Sequence, residues 1–268
     1  FLSIGISDIA CSPSNPNVVY AATGDADAAG VLGALFNYSI GIVKTTDNGS
    51  TWSLTSPLYG EGFELSNKVL INRLLVHPEN ENLLYAATNN GLFKTEDGGK
   101  NWSQLNNTYC RDLEFKPGDP SQLIGAFREI SGNAYIYSIA KVNPFTGTID
   151  KKQQFSDVIR IALNVTPADP NTMYAICAGY DMGFHSFLRT TDGGENWTIM
   201  ARKSTHPNYL HFYTSGSLQG GQGLYDLCLA ADPENEDIVF IGGINVWKTT
   251  NGGADFSITT DWRGKSAP

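Results

Sequence analysis

The chain has 268 residues, of which 41% are hydrophobic, 11% aromatic and 17% charged, and this balance excludes intrinsic disorder, whose signature is low hydrophobicity with high charge. No stretch approaches the roughly 18 consecutive apolar residues that a membrane-spanning helix needs, so we expect no membrane insertion. The net charge of −9 leaves no basic stripe to displace phosphate counterions, so we expect no nucleic-acid partner either.

Taken in chain order, the predicted elements recur as a unit of four short strands, which we name A to D. Five times, a Pro at the turn from strand A to strand B stands seven residues before an aromatic or aliphatic residue of strand B. The pairs are Pro13/Tyr20, Pro78/Tyr85, Pro117/Ile124, Pro167/Tyr174 and Pro233/Phe240. Short β-rich runs separated by Gly, Pro, Asn and Asp, without a helical period between them, predict an all-β fold.

The turn from strand C to strand D is the second recurring feature. In four copies an Asp or Asn is followed two positions later by Gly and five positions later by an aromatic residue. The copies are Asp47, Gly49 and Trp52; Asp97, Gly99 and Trp102; Asp192, Gly194 and Trp197; and Asn251, Gly253 and Phe256. We assign them a structural role, because the side-chain oxygen can accept backbone N–H groups, Gly supplies a positive φ and the ring can pack between units. A calcium loop or an acid catalyst at one of the three Asp residues is the alternative.

Four antiparallel strands per unit of this length are typical of a β-propeller blade. We predict five blades, at approximately residues 1–57, 66–107, 108–155, 156–201 and 222–262. Residues 141–149 keep the turn residues of the C–D segment but lack its Asp and its Trp, so we expect the third blade to be degenerate.

The C–D segments resemble the Asp-boxes, or BNR repeats, of propellers that include sortilin-type receptors, sialidases and xyloglucanases. Longer strings, at residues 20–27, 115–120, 220–226 and 242–250, resemble secreted Bacteroidetes-type proteins in which such a propeller precedes a C-terminal sorting domain for type IX secretion. The resemblance implies an extracellular or cell-surface location and contact with the type IX secretion machinery. It also implies a larger ring to which these blades belong. A closed five-bladed ring is the alternative, since propellers of 4–8 blades all occur.

Length variation is confined to the B–C and D–A connections, which leave the blades on the face opposite the C–D turns. The spacing from the strand B anchor to the Asp or Asn of the C–D turn is 27, 12, 18 and 11 residues, whereas the spacings across the A–B and C–D turns are constant. Insertions on one face of a repeat commonly build a binding surface. They supply the candidate ligand-binding residues Asp27, Tyr59, Glu61, His206, Tyr209, His211, Tyr213 and Gln222. The alternative is that their aromatic rings pack the loops onto the blades.

The first residues of strand A are charged in every blade, and strand A is the innermost strand. These residues are Asp8, Arg73, Arg111, Asp112, Arg160 and Asp226. The three arginines come from successive strands A and resemble the three with which sialidases bind a substrate carboxylate. Mixed charge at this position predicts either an anion-binding or glycosidase site or a ring of salt bridges.

Two functions are consistent with these patterns. The first is a non-catalytic extracellular scaffold that binds a protein or glycan ligand through the long loops. The alternative is a xyloglucanase-like or sialidase-like glycoside hydrolase, which needs two carboxylates across the scissile bond. Asp25 follows strand B close to the point where xyloglucanases place an Asp after Tyr-x-x-Thr, although Gly24 intervenes. The candidates for its partner acid are Glu61, Glu64, Asp181 and Asp226. We assign no metal and no cofactor, because neither the His206–His211 spacing nor the Asp25–Asp27 pair fits a zinc or calcium site.

Overall fold

A computed structural model describes residues 5–24, 39–55 and 69–264. In this part of the chain, twenty strands form five four-stranded antiparallel sheets, and no helix is present that could span a membrane. The predicted all-β fold of four-stranded β-propeller blades is therefore confirmed.

Each blade is a meander in which consecutive strands are hydrogen-bonded neighbours. Blade 1 contains β1 (Ile6–Cys11), β2 (Val19–Thr23), β3 (Ile42–Thr45) and β4 (Ser53–Leu54). Blade 2 contains β5 (Ile71–His77), β6 (Asn80–Thr88), β7 (Gly91–Thr95) and β8 (Ser103–Asn106). Blade 3 contains β9 (Tyr109–Lys116), β10 (Asp119–Ser131), β11 (Ala134–Val142) and β12 (Ile149–Phe155). Blade 4 contains β13 (Val158–Val165), β14 (Met173–Gly179), β15 (Phe184–Thr190) and β16 (Thr198–Arg202). Blade 5 contains β17 (Cys228–Ala231), β18 (Val239–Gly242), β19 (Val246–Thr249) and β20 (Ser257–Thr260).

The chain divides into two compact units. Unit 1 comprises Phe1–Leu113 and Asn143–Thr148, and unit 2 comprises Glu114–Val142 and Ile149–Pro268. The core of unit 1 lies between blades 1 and 2, and unit 2 has one core between blades 3 and 4 and another between blades 4 and 5. The second and third strands of the blades carry most of the fully buried side chains, because both of their faces are covered.

The tyrosines of strand B connect a blade to its neighbour. Tyr20 Oη donates to the carbonyl of Glu81 at 2.9 Å, and Tyr85 Oη donates to the carbonyl of Pro144 at 3.2 Å. In unit 2, Tyr174 Oη donates to the carbonyl of Glu236. In these three blades the spacing from Pro to Tyr places the hydroxyl against the backbone of another blade.

The C–D turns share one hydrogen-bond pattern. In blade 2, Asp97 Oδ1 accepts Thr95 Oγ1 at 2.8 Å and the backbone N of Asn101 at 2.9 Å, while Asp97 Oδ2 accepts Asn101 Nδ2 at 2.7 Å. Blade 5 reverses the last pair, because Asn251 Nδ2 donates to Asp255 Oδ2 at 3.4 Å. A hydrogen-bonding role for these residues therefore holds with either an acid or an amide at the turn.

The second Gly of three C–D turns lies close against the preceding blade. A Cβ atom on Gly253 would be 2.2 Å from Phe187 Cε1, and one on Gly194 would be 2.8 Å from Ile124 Cδ1. The corresponding position in blade 1, Gly49, has no atom within 4 Å among the described residues. The absence of a side chain is thus required by packing as well as by a positive φ.

Blade 1 exposes a face that other blades bury. Ile9 is paired with Ala21 in the register that pairs Leu74 with Ala86 and Leu163 with Ala175. Ile9 is 61% exposed, whereas Leu74 is 2% and Leu163 is 5% exposed, because each of the two leucines packs against a preceding blade. Trp52, the residue before β4, and Leu54 on β4 are exposed in the same way.

Candidate functional site

A row of alternating charges lies across the first strands of unit 1. Arg73 on β5 stands between Asp8 on β1 and Asp112 on β9, with N–O distances of 3.8 Å from Nη1 to Asp8 Oδ1 and 3.7 Å from Nε to Asp112 Oδ1. Asp8 Oδ2 also accepts the backbone N of Leu74 at 2.7 Å. The positive charge of Arg73 is therefore shared between two carboxylates, which is the salt-bridge arrangement that the sequence offered as one of two alternatives.

Burial raises the pKa of Asp8 above its ordinary value, against the opposing effects of the Arg73 guanidinium and the Leu74 N–H. Removal from water disfavours the charged carboxylate, and the nearby cation only partly offsets this. Asp8 is thus a carboxyl group that holds its proton at a higher pH than an exposed Asp.

Arg111 has a different partner from Arg73. Its Nη1 donates to Asn72 Oδ1 at 3.0 Å, and Asn72 Nδ2 donates to the carbonyl of Cys110 at 2.7 Å. The side chain of Arg111 is therefore held through an amide that the sequence analysis did not single out. Asn72 lies next to Arg73 on the same strand. A polar residue beside a predicted charged position is the feature of the sequence that could have identified it.

In unit 2, Arg160 and Asp226 form the corresponding charged position. Arg160 Nη1 donates to the carbonyl of Leu224 at 2.7 Å, which holds the end of the long connection between β16 and β17. Burial raises the pKa of Asp226, while the Arg160 charge acts in the opposite direction. The direction of this shift is the one that a general acid requires.

The connection between β16 and β17 holds five of the predicted ligand residues, and the rings of two of them contact other parts of unit 2. Tyr209 is 2% exposed and packs edge-on against Phe184 and Trp247, at centroid distances of 4.8 and 5.1 Å. His206 Nε2 lies 3.2 Å from the carbonyl oxygen of Ala254. The backbone carbonyl of Gln222 accepts the N–H groups of Tyr225 and Asp226. The rings of Tyr209 and His206 agree with the alternative in which aromatic rings pack the loop onto the blades, whereas these contacts of Gln222 are made by its backbone.

His211 and Tyr213 differ sharply in exposure. His211 is buried, at 4% exposure, and its ring is stacked on Phe212 at a centroid distance of 4.3 Å. Tyr213 is 45% exposed. Of the five predicted residues in this connection, Tyr213 is the one with an aromatic ring at the surface.

Of the remaining predicted residues, Asp25, Asp27, Tyr59, Glu61 and Glu64 lie outside the described residues. Their positions relative to the charged rows are therefore predictions from the sequence. Within the described ranges, no group of three His, Cys, Asp or Glu side chains is arranged to hold a metal ion.

Comparison of the sequence with those of known proteins finds xyloglucanases. No protein-family profile matches the chain. The xyloglucanase Xgh74A of Acetivibrio thermocellus is 25% identical over 289 residues, covering 96% of this chain and 32% of that protein. A xyloglucanase of Paenibacillus sp is 26% identical over 235 residues, covering 83% of this chain and 19% of that protein. The chain is similar to xyloglucanases. It spans about a third of the length of the first of these relatives.

Solved structures with the same fold include enzymes of this kind. The GH74 enzyme of Niastella koreensis superposes with a TM-score of 0.64 at 20% identity, covering 96% of this chain and 38% of that one. The GH74 xyloglucanase of Xanthomonas campestris superposes with a TM-score of 0.51 at 13% identity, covering 96% of this chain and 48% of that one. At these identities the structures establish a common fold.

Proposed function

We propose that the chain is part of a glycoside hydrolase that acts on xyloglucan or a closely related β-glucan. The observation that carries the proposal is the sequence similarity to xyloglucanases across 96% of the chain. This similarity favours the hydrolase over the non-catalytic scaffold, because the matched relatives are named as enzymes. Since the chain spans about a third of that relative, the activity of the whole protein is part of the proposal.

The described residues support a role for Asp226 as general acid. Glycoside hydrolysis needs one carboxyl group that is protonated and a second that is ionised. Burial raises the pKa of Asp226, and Arg160 fixes the backbone two residues before it. The resemblance to xyloglucanases makes Asp25 the candidate second carboxylate, with the insertion of Gly24 as the difference from the family pattern.

The Asp-box type of the turns, the larger ring and the extracellular location with its sorting domain are further parts of the same proposal. We assign the four C–D turns to the Asp-box type, which is supported by their shared hydrogen bonds and by their spacing. A larger ring is supported by the exposed face of blade 1 at Ile9, Trp52 and Leu54. The extracellular location and the type IX sorting domain stay predictions, and detection of the protein in the culture medium of its source cells would test the first of them.

The test measures binding and bond cleavage together on the whole protein. Xyloglucan is the probe, affinity electrophoresis reports binding, and a reducing-end assay reports cleavage. We expect both signals, and we expect Asp226→Asn and Asp25→Asn each to lower kcat by about 10²-fold or more with little change in KM. Asp157→Asn is the matched control, because this carboxylate of unit 2 is largely exposed and pairs with His185.

The possible outcomes separate the two functions. Binding without release of reducing ends would favour the non-catalytic scaffold, and the absence of both signals would contradict the proposal. Cleavage that is unchanged in Asp226→Asn would remove Asp226 from the mechanism and leave the hydrolase itself in place.

A further inference from the structure

Three large aromatic side chains are exposed together at one end of unit 2. Trp262 follows β20 by two residues and is 57% exposed, while Phe212 and Tyr213 lie in the connection between β16 and β17. Single exposed aromatic side chains are common, but several in contact with one another mark a candidate binding surface. The sequence analysis included Tyr213 among its candidates and assigned no role to Trp262.

The indole ring is held in place by hydrogen bonds. Trp262 Nε1 donates to the carbonyl of Phe212 at 2.9 Å. Asn245, which is fully buried, donates through Nδ2 to the carbonyls of His211 and Phe212 at 3.0 and 3.2 Å, and its Oδ1 accepts the backbone N of Trp262 at 3.2 Å. One buried amide therefore joins the two chain segments that carry the rings.

The imidazole of His211 is buried and stacks on the ring of Phe212 with an interplanar angle of 26°. Its Nδ1 accepts a hydrogen bond from the backbone N–H of Tyr213 at 3.0 Å, which holds the backbone of Tyr213 in place. Phe212 and Tyr213 are themselves in contact, with a centroid distance of 4.2 Å. The rings are thus ordered before any ligand arrives, which reduces the entropy lost on binding.

A polar side chain stands beside the rings. Arg263 pairs with Asp261 through Nη2 and Oδ2 at 2.6 Å, and the same Nη2 lies 3.5 Å from Thr214 Oγ1. The hydrogen bond to Asp261 raises the pKa of Arg263 and keeps the guanidinium charged. The guanidinium of the residue that follows Trp262 is therefore held by Asp261.

We propose that Trp262, Tyr213 and Arg263 form a sugar-binding platform for a β-1,4-linked glucan main chain. Pyranose rings whose substituents are all equatorial present flat C–H faces, which suit stacking on an indole, and their hydroxyls accept hydrogen bonds from a fixed guanidinium. The ligand class rests on the proposed function, because the similarity to xyloglucanases is what selects a β-glucan among the sugars. The platform binds the chain, and no bond is broken at it.

The test uses cellohexaose as ligand for the whole protein, with maltohexaose as the comparison because its α-linked chain is not flat. We expect Trp262→Ala to weaken cellohexaose binding by about tenfold, corresponding to about 1.4 kcal/mol, as measured by calorimetry. Trp262→Phe should retain more of the affinity, since it keeps an aromatic ring. Tyr135→Ala is the matched control, because this ring on β11 is also 45% exposed and lies away from the platform.

A second measurement needs no variant. Cellohexaose should protect one tryptophan of the native protein from oxidation by N-bromosuccinimide, and peptide mapping should identify it as Trp262. This result keeps the proposal testable if Trp262→Ala fails to fold.

The outcomes distinguish the platform from the hydrolase. Binding by the native protein with unchanged affinity in folded Trp262→Ala, or with no protection of Trp262, would overturn the platform and leave the proposed function standing. Protection of Trp262 without release of reducing ends from xyloglucan would support the platform and contradict the hydrolase. No binding of cellohexaose by the native protein would also overturn the platform.

Discussion

At the scale of single residues, the C–D turns depend on one side-chain oxygen that accepts several donors. Asp97 takes hydrogen bonds from the side chain and the backbone of Asn101, and these lower its pKa to about 2. In blade 5 the amide and the acid exchange places, with Asn251 opposite Asp255. The turn therefore needs one acceptor and one donor at the two positions, in either order.

The pair in blade 5 predicts what happens when the acid and the amide at positions 97 and 101 are exchanged. Asp97→Asn alone replaces the charged acceptor of Asn101 with a neutral amide, so it weakens these hydrogen bonds and should lower the melting temperature, measured by circular dichroism at pH 7. The double variant Asp97→Asn with Asn101→Asp recreates the blade 5 pair and should recover most of the loss. A double variant no more stable than the single one would show that the carboxylate is needed at position 97 itself.

At the scale of the strand and the blade, neighbouring sheets contact each other through the glycines of the C–D turns. Gly253 and Gly49 have similar backbone conformations, with φ of 97° and 88°. They differ in their surroundings, because Gly253 lies against the ring of Phe187 and Gly49 has open space. The two positions therefore separate the effect of packing from that of backbone strain.

Gly253→Ala should destabilise the protein by about 1–3 kcal/mol more than Gly49→Ala, because the added methyl must displace Phe187 from the core between blades 4 and 5. Both variants carry the same cost of a positive φ, so their difference reports the clash. Urea unfolding at 25 °C measures it. Equal losses in the two variants would mean that φ alone selects these glycines.

At the scale of the whole molecule, one acid-sensitive carboxylate recurs in three blades. Hydrogen bonds lower the pKa of Asp47, Asp97 and Asp192 to about 2, below the ordinary value of 3.8. A folded-state pKa below the unfolded value means that the stabilisation is complete above about pH 4 and is lost as the pH falls to about 2.

We therefore expect the melting temperature to fall steeply between pH 4 and pH 2, and to fall less steeply in the triple variant Asp47→Asn, Asp97→Asn, Asp192→Asn. The control removes the same number of charges at turn glutamates, by Glu79→Gln, Glu234→Gln and Glu236→Gln, and it should keep the steep fall. Calorimetric scans across this pH range test both. Parallel curves for the native protein and the triple Asn variant would contradict the assignment.

The blades were predictable from the sequence because their determinants are local. The Asp97 turn is closed by hydrogen bonds within seven residues, from Thr95 to Asn101, and the Pro-to-Tyr spacing belongs to a single hairpin. Residue type and spacing therefore carry enough information to predict the all-β fold and its four-stranded blades.

The candidate site was predictable only in part, because exposure and partners depend on residues that are distant along the chain. In the sequence, Tyr209 and Tyr213 are both tyrosines of the same long connection. In the structure, Tyr209 lies in a core formed with Trp247, and Tyr213 lies at the surface. From the sequence, Arg73 could bind either a ligand anion or a carboxylate of the protein itself. Its position between Asp8 and Asp112 follows from the packing of the strands.

The sequence by itself determined the repeat and the blade type, since each follows from short-range spacing. Tertiary structure decided which ring is available to a ligand. Trp262 owes its orientation to the carbonyl of Phe212 and to Asn245, which lie 50 and 17 residues away. Such contacts arise from the packing of whole blades, and no local pattern encodes them.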